Sequence, residues 1–342
     1  MSDKHGRSPV GNTRGVVLLS VCGALLYGSG IVGIAYVAGF PSVLHDLQRV
    51  DAPWIAASLA GVALSWVGYY IAFEALARLP GGPDLNGTER LAVVAAGFGC
   101  FLFKGGAVID NFAMKRGGTD KRVADVRVST LKSLEHAPIA IGTCIAAIVL
   151  LALGHTDPPP LDFTWPWALG PVIGATIAVT LAARYRKRLR SKKGILRGLA
   201  IALDGIWMLR ELAAGKRSSG MPFIGMTIFW AGDMFALWAA LLAFTAGISF
   251  AGIVVAYAVG NVLTRRSAPL GGAGLIDLVL PLTLWDCGAS FAGAVAAVAA
   301  YRFFSLWIPL PGAIAALPTV RAIQEPNAQS MRTREPALQR AV

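Results

Sequence analysis

The sequence predicts an all-α polytopic integral membrane protein, with about seven to eight transmembrane helices, re-entrant segments and an internal repeat. Three observations carry this reading. Of 342 residues, 55% are hydrophobic and only 15% charged, where a soluble domain carries about 25% charged residues. The apolar residues gather into runs close to the ~20 needed to cross a bilayer. Two near copies of a glycine-led stretch ending in a carboxylate, GGAVID (105–110) and GGAGLID (271–277), stand among those runs.

The formal net charge of +12 does not point to nucleic acid. The bases lie in short blocks between apolar runs, the pattern that marks cytoplasmic loops, with attraction to anionic headgroups as a compatible second effect. Cys22, Cys100, Cys144 and Cys287 lie in or beside apolar segments without CxxC spacing, so neither a disulfide framework nor a zinc site is indicated. The four histidines are scattered and no HExxH occurs. No metal or cofactor is expected.

Along the chain, the polar N-terminal tail (1–14) leads into a first span from Gly15 to about Phe40, too long for a signal-peptide core and lacking a clear exit site. A second span covers about 53–79, where Glu74 and Arg78 are spaced for a helical ion pair. A short apolar patch, LAVVAAGFGCFLF (91–103), precedes a polar segment to Lys132 with seven basic and three acidic side chains. Spans follow at about 134–154 and 164–183, separated by HTDPPPLD. Eight bases and no acid lie between Arg184 and Arg197. Beyond them Leu196, Leu199, Leu203, Ile206 and Trp207 share one helical face and Arg197, Asp204 and Glu211 another, predicting an amphipathic helix either on the membrane surface or packed on protein. Further spans are expected at about 221–246, 248–263 and 289–317, with the glycine-rich segment at 268–285. The membrane domain thus covers 15–317, and 318–342 reads as a disordered tail.

Placing 184–197 in the cytoplasm puts HTDPPPLD outside and both the basic segment 104–132 and the N-terminus inside. The count closes only if 91–103 enters and leaves on one side, as a re-entrant segment. The side of the C-terminus stays open, since 268–285 can be re-entrant or spanning.

The repeated motif comes with repeated spacing. Glu135 lies twenty-five residues after Asp110, and Arg302 twenty-five after Asp277. Transporters are often built from such repeats, with broken helices meeting near the bilayer middle. Gly271 and Gly272 would let the chain turn back at depth. Asp233, central in an apolar span, and Arg302 would each cost roughly 2.5–3.5 kcal/mol if unpaired at the bilayer centre. Asp277 and Asp233 are the candidate partners of Arg302. Asn111, Asn261 and Tyr301 are candidate lining residues of the same cavity.

From Thr227 to Ala313 the chain resembles the membrane region of lysylphosphatidylglycerol synthases and their stand-alone flippase-like relatives. The likeness rests on FWAGDMFALW, the hairpin PLGGAGLID, and YRFFSLWIPLPG. GGAVIDNFAMKRGG and the later Leu-Glu match more loosely. Leu270 stands where the family usually has a second Pro, and Asp277 where Glu is more usual. The aminoacyl-tRNA-dependent transferase domain of the full synthases is not expected in this chain.

The resemblance implies lipid translocation: a phospholipid or polyprenyl-linked lipid passes its headgroup through an intramembrane groove. In that reading Arg302 grips phosphate through its planar fork, while Asp233, Asp277, Asp110 and Glu135 balance it or contact the headgroup. Tyr301, Gly271 and Gly272 complete the substrate-binding set. No P-loop occurs, so ATP hydrolysis is not expected. The resemblance places the chain in a bacterial plasma membrane, with a separate lipid-modifying enzyme and a homo-oligomer as open partners. Two alternatives stand: a membrane-embedded transferase acting on a lipid-linked sugar, using paired carboxylates as a base, or a scaffold for a separate enzyme.

Overall fold

The computed structural model describes residues 13–99, 101–102, 105–116, 119–153, 161–215, 220–244, 246–260 and 269–323. These residues are helices and turns, with no strand among them. The first helix, α1 (Thr13–Ala38), ends at Gly39, whose φ of 89° redirects the chain into α2 (Phe40–Gln48). The long α3 (Ala52–Ala77) is followed by α4 (Gly87–Gly97), opened by a reciprocal cap in which Asn86 accepts from Glu89 N–H and the Glu89 carboxylate accepts from Asn86 N–H. The chain continues through α5 (Ala107–Met114), α6 (Lys121–Leu153), α7 (Leu161–Leu189), α8 (Ile195–Ala213) and α9 (Met221–Ala243). A short α10 (Phe250–Gly260), a 3-10 turn (Pro269–Gly272) and α11 (Leu275–Asp286) come next. Then α12 (Phe291–Arg302) passes through a π turn (Phe303–Trp307) into α13 (Pro309–Ala315) and α14 (Leu317–Ala322).

Among the described residues, six helical stretches are long and apolar enough to cross a membrane: α1, α3, α6, α7, α9 and the run from α12 into α13. The sequence predicted seven to eight. The difference lies at 248–263, where the expected span is the 11-residue α10, about 16 Å long at 1.5 Å per residue. Its all-round apolar character comes from burial: every residue from Gly252 to Ala258 is enclosed by protein. Two half-length helix pairs thus recur, α4 with α5 and α10 with α11, each pair in mutual contact and each turning at glycines.

At the centre, α3 and α9 form the most extensive helix contact. They run antiparallel: Gly61 lies against Gly232, and Gly68 against Gly225. The backbones come so close that a Cβ at Gly68 would sit 2.3 Å from Phe229 N, and one at Gly232 2.7 Å from Ser65 N. Small residues that admit another backbone are the usual glue between apolar helices, which have no hydrophobic drive in lipid. Ser58 adds a buried hydrogen bond to Ala236 O at 2.8 Å. The two helices also share a spacing, Gly61-x4-Trp66-x-Gly68 and Gly225-x4-Trp230-x-Gly232. Each glycine therefore packs against the counterpart of the other glycine on its own helix, as in a twofold interface.

One sequence expectation is corrected at the C-terminal edge. The tail was expected to begin at 318, yet α14 is helical and packed, with Val320 fully buried. Pro318 sits in the first turn of this helix rather than ending one, since N–H groups there need no intrahelical partner. The rest of the tail, most of the N-terminal tail, most of HTDPPPLD and Asn261 lie outside the described residues. In α8 the buried face is Ala200, Leu203, Asp204, Gly205, Met208 and Leu212, while Leu196 and Leu199 are exposed. Of the two placements the sequence left open for its apolar stripe, neither is excluded: Leu203 of that stripe is packed on protein, and the Asp204 side is buried with it because Arg122 of α6 and Arg190, just beyond α7, pair with the carboxylate.

Candidate functional site

The predicted charged residues occupy three buried clusters. The first joins the glycine turn to α12. Arg302 is fully buried, and its Nε donates to Asp277 Oδ1 at 2.8 Å. Its Nη2 donates to Gly271 O, also at 2.8 Å. The other carboxylate oxygen of Asp277 accepts from Gly274 N–H at 2.8 Å, so the acid both closes the first turn of α11 and holds the guanidinium. Among the described residues, Nη1 of Arg302 has no hydrogen-bond partner, nor do the buried Ser305 Oγ and Trp307 Nε1 in the adjoining π turn. Buried donors of this kind call for a reason, and π turns are frequent at functional sites.

The turn itself is built for this contact. Gly271, Gly272 and Gly274 have φ of 66°, 72° and 84°, in the left-handed region that glycine alone enters freely. Leu270 has φ 50° and is the one non-glycine residue with positive φ among those described. A proline there, as the resembled family usually carries, is locked near −65° and could not follow this path. Leu270 N–H donates to Leu102 O at 3.2 Å. That bond ties the turn before α11 to the turn before α5, so the tips of the two half-length pairs meet.

The second cluster surrounds Asp233. Its Oδ2 accepts from Tyr301 at 2.6 Å and from Tyr257. Sequence reading offered Asp233 as a partner for Arg302; the carboxylate that Arg302 engages is Asp277, and Asp233 belongs to tyrosines instead. Trp230, edge-on to Tyr257, donates to the backbone oxygen of Glu135, which ties the kindred position in α6 to α9. The Glu135 side chain is 2% exposed.

Asp110 centres the third cluster. It stands in the first turn of α5, as Asp277 does in α11, and accepts from Tyr69 at 2.8 Å. Tyr69 follows Gly68 as Asp233 follows Gly232, so equivalent places on α3 and α9 both face the acid clusters. Trp66, Phe98, Tyr69, Phe229, Trp230 and Tyr257 form consecutive ring contacts from one cluster to the next. Gly272 contributes conformation alone. Asn111 lies apart, donating to Asp125 at 3.0 Å.

Sequence reading missed Tyr69, Tyr257, Trp230 and Ser305. The shared Gly-x4-Trp-x-Gly spacing was the available signal for Trp230 and for Tyr69. Tyr257 and Ser305 had none, because an isolated tyrosine or serine in an apolar helix is commonplace.

At the basic end of the fold, Asp204 accepts from Arg122 Nη2 at 2.6 Å and from Arg190 Nη2 at 2.9 Å. Burial disfavours its ionisation, but the two guanidinium groups outweigh that and hold its carboxyl below the usual range. Glu74, Arg78 and Arg90 form a second network, with the Arg78–Glu74 distance 2.8 Å as the i,i+4 spacing predicts.

Fold and site define an all-α protein with six helices able by length and composition to cross a membrane, and with charged residues sealed among them. No family model and no curated protein matches the chain.

Proposed function

We propose that this chain translocates the phosphate-bearing headgroup of a membrane lipid through an intramembrane groove, without ATP. The observation that carries the reading is Arg302. It is a permanently charged group, fully enclosed, held by Asp277 and the Gly271 carbonyl, with one nitrogen left without a partner. A charge in an apolar bundle is expensive, and such residues mark pathways by default. A planar fork with a spare edge suits a phosphate oxygen. In this conformation the pair is closed; a headgroup phosphate would take over from Asp277.

Topology supports the same reading. The antiparallel arrangement of α3 and α9 follows if α6 and α7 cross while α4–α5 and α8 do not. Six crossings then put the start of α1 and the end of α13 on one side, cytoplasmic by the charge of 104–132 and 184–197. The pair α4–α5 enters from inside, α10–α11 from outside, and they meet at Leu102 and Leu270. This is an inverted-topology repeat of α3–α6 and α9–α12, an arrangement in which substrate sites lie at the repeat interface. The resemblance to the flippase-like region of lysylphosphatidylglycerol synthases agrees with it.

The test is reconstitution of the purified chain into liposomes with a fluorescent phospholipid, its outer-leaflet fraction bleached by dithionite. Bleaching should exceed the half reached with empty liposomes, with no nucleotide present. Arg302→Lys keeps the charge, loses the fork, and should abolish the excess while folded protein still incorporates. Wild-type protein that bleaches no more than empty liposomes overturns the proposal.

A further inference from the structure

A charged cavity that shares no lining residue with the Arg302 cluster lies where the end of α3, the start of α6, the end of α7 and α8 converge. Its volume is about 590 Å³, and four arginines line it: Arg122, Arg127, Arg186 and Arg190. The lining carboxylates are Asp204 and Glu211. Four guanidinium groups against two carboxylates leave an excess of positive charge. A cavity of this size is in the range of small-ligand sites.

The arginines divide into two kinds. Arg122 and Arg190 are engaged with Asp204, and they account for its burial. Arg186 and Arg127 are not needed for that. Arg186 makes no hydrogen bond among the described residues; its nearest carboxylate oxygen, on Asp204, is 3.9 Å away. It lies over the Trp207 ring at 4.2 Å, a cation–π contact that does not consume its N–H groups.

Arg127 is 2% exposed. Its Nη2 donates to Leu79 O and Pro80 O, at 3.0 and 2.7 Å, while its Nη1 has no partner. Gly82 makes room for that nitrogen, since a Cβ there would lie 2.6 Å from it. A buried guanidinium without full satisfaction is costly. One such group, Arg127, and the partly exposed Arg186, held against a tryptophan, line one cavity and form a recognition arrangement rather than a structural pair.

We infer that this cavity is a binding site for a phosphate group, with Arg186 and Arg127 as its ligands and Trp207 as the platform that orients Arg186. Phosphate offers several acceptor oxygens and negative charge, which matches guanidinium edges bidentately. Two sources share this chemistry: the headgroup of an anionic phospholipid in the adjoining leaflet, and a soluble phosphate. The site binds α3, α6, α7 and α8 together when filled. It does not depend on the translocation reading, because the residues are separate from the Arg302 cluster.

The test uses the full chain in nanodiscs. In one arm the discs are phosphatidylcholine, and inorganic phosphate is titrated against chloride at constant ionic strength. In the other arm the discs contain phosphatidic acid, and lipid retained by the protein is counted by native mass spectrometry. Binding in the first arm identifies a soluble phosphate; binding only in the second identifies the lipid headgroup. In either case Arg186→Gln should weaken binding by at least about tenfold, the size of losing one charge-assisted contact. Arg188→Gln removes the same charge from the same basic block at an exposed position outside the cavity, and should leave binding within about twofold. Arg127→Gln gives a second reading at the buried ligand, and unliganded melting temperature reports whether each variant is folded. No binding in either arm, or equal loss in Arg186→Gln and Arg188→Gln, overturns the inference. Loss of lipid transport with binding intact leaves it standing.

Discussion

Arg302 Nε donates to Asp277 Oδ1 at 2.8 Å, and neither side chain has any solvent exposure. The bond links α12 to the glycine turn that opens α11, so one contact fixes the end of a long apolar helix against a broken one. Removing either partner leaves the other buried without its counter-charge.

Arg302→Ala should therefore destabilise the protein by about 3–5 kcal/mol, and Asp277→Leu in the same chain should recover much of that loss. Thermal unfolding of the detergent-purified variants measures both. A single-variant loss below about 1 kcal/mol would contradict the buried pair.

Leu270→Pro should be damaging at this turn. Proline cannot adopt φ 50° and has no N–H for Leu102 O. Strain and the lost hydrogen bond together amount to about 2–4 kcal/mol. Chemical unfolding would read this directly. A variant as stable as wild type would mean that the turn takes another path.

Gly68→Ala should lower stability by at least about 1–3 kcal/mol, because its new methyl would meet backbone of α9 that cannot yield without moving the helix. Gly28→Ala, with nothing within 4 Å of the added carbon, serves as the comparison and should change little. The difference in amount of folded protein in membranes, and in melting temperature, tests the close α3–α9 approach.

Asp204 predicts an acid dependence. Its folded-state pKa lies below the ordinary value of 3.8, so its contribution is complete above about 3.8 and is lost as pH falls through the lower folded value. The melting-temperature gap between wild type and Asp204→Asn should stay constant from pH 7 to about 5 and close below 3.8. A gap that closes near neutral pH instead would assign the dependence to another group.

The helical class and most long apolar helices were readable because lipid-length runs need only a count of consecutive apolar residues. The charge blocks were equally plain. The motif GGAGLID announced a turn because three glycines interrupt an apolar run, and the turn is where the sequence placed it. Apolar character alone could not separate α10 from a span. A helix wrapped by protein and a helix wrapped by lipid draw on the same residues, and only length and neighbours tell them apart.

Pairing was beyond the sequence for the same reason. From Arg302 the sequence saw two acids, Asp233 and Asp277, each in another apolar segment. The folded chain gives Asp277 to Arg302 and surrounds Asp233 with Tyr257 and Tyr301, a choice made by how α9, α10 and α12 pack. Likewise α8 shows an apolar stripe in sequence, while the face with Asp204 is buried because Arg122 and Arg190 arrive from α6 and beyond α7. By itself the sequence determined the apolar helices and the turn, since these depend on local composition and backbone freedom. The tertiary structure decided which charges meet and which glycines touch, because a buried ion pair or a backbone contact exists only when distant segments supply both halves.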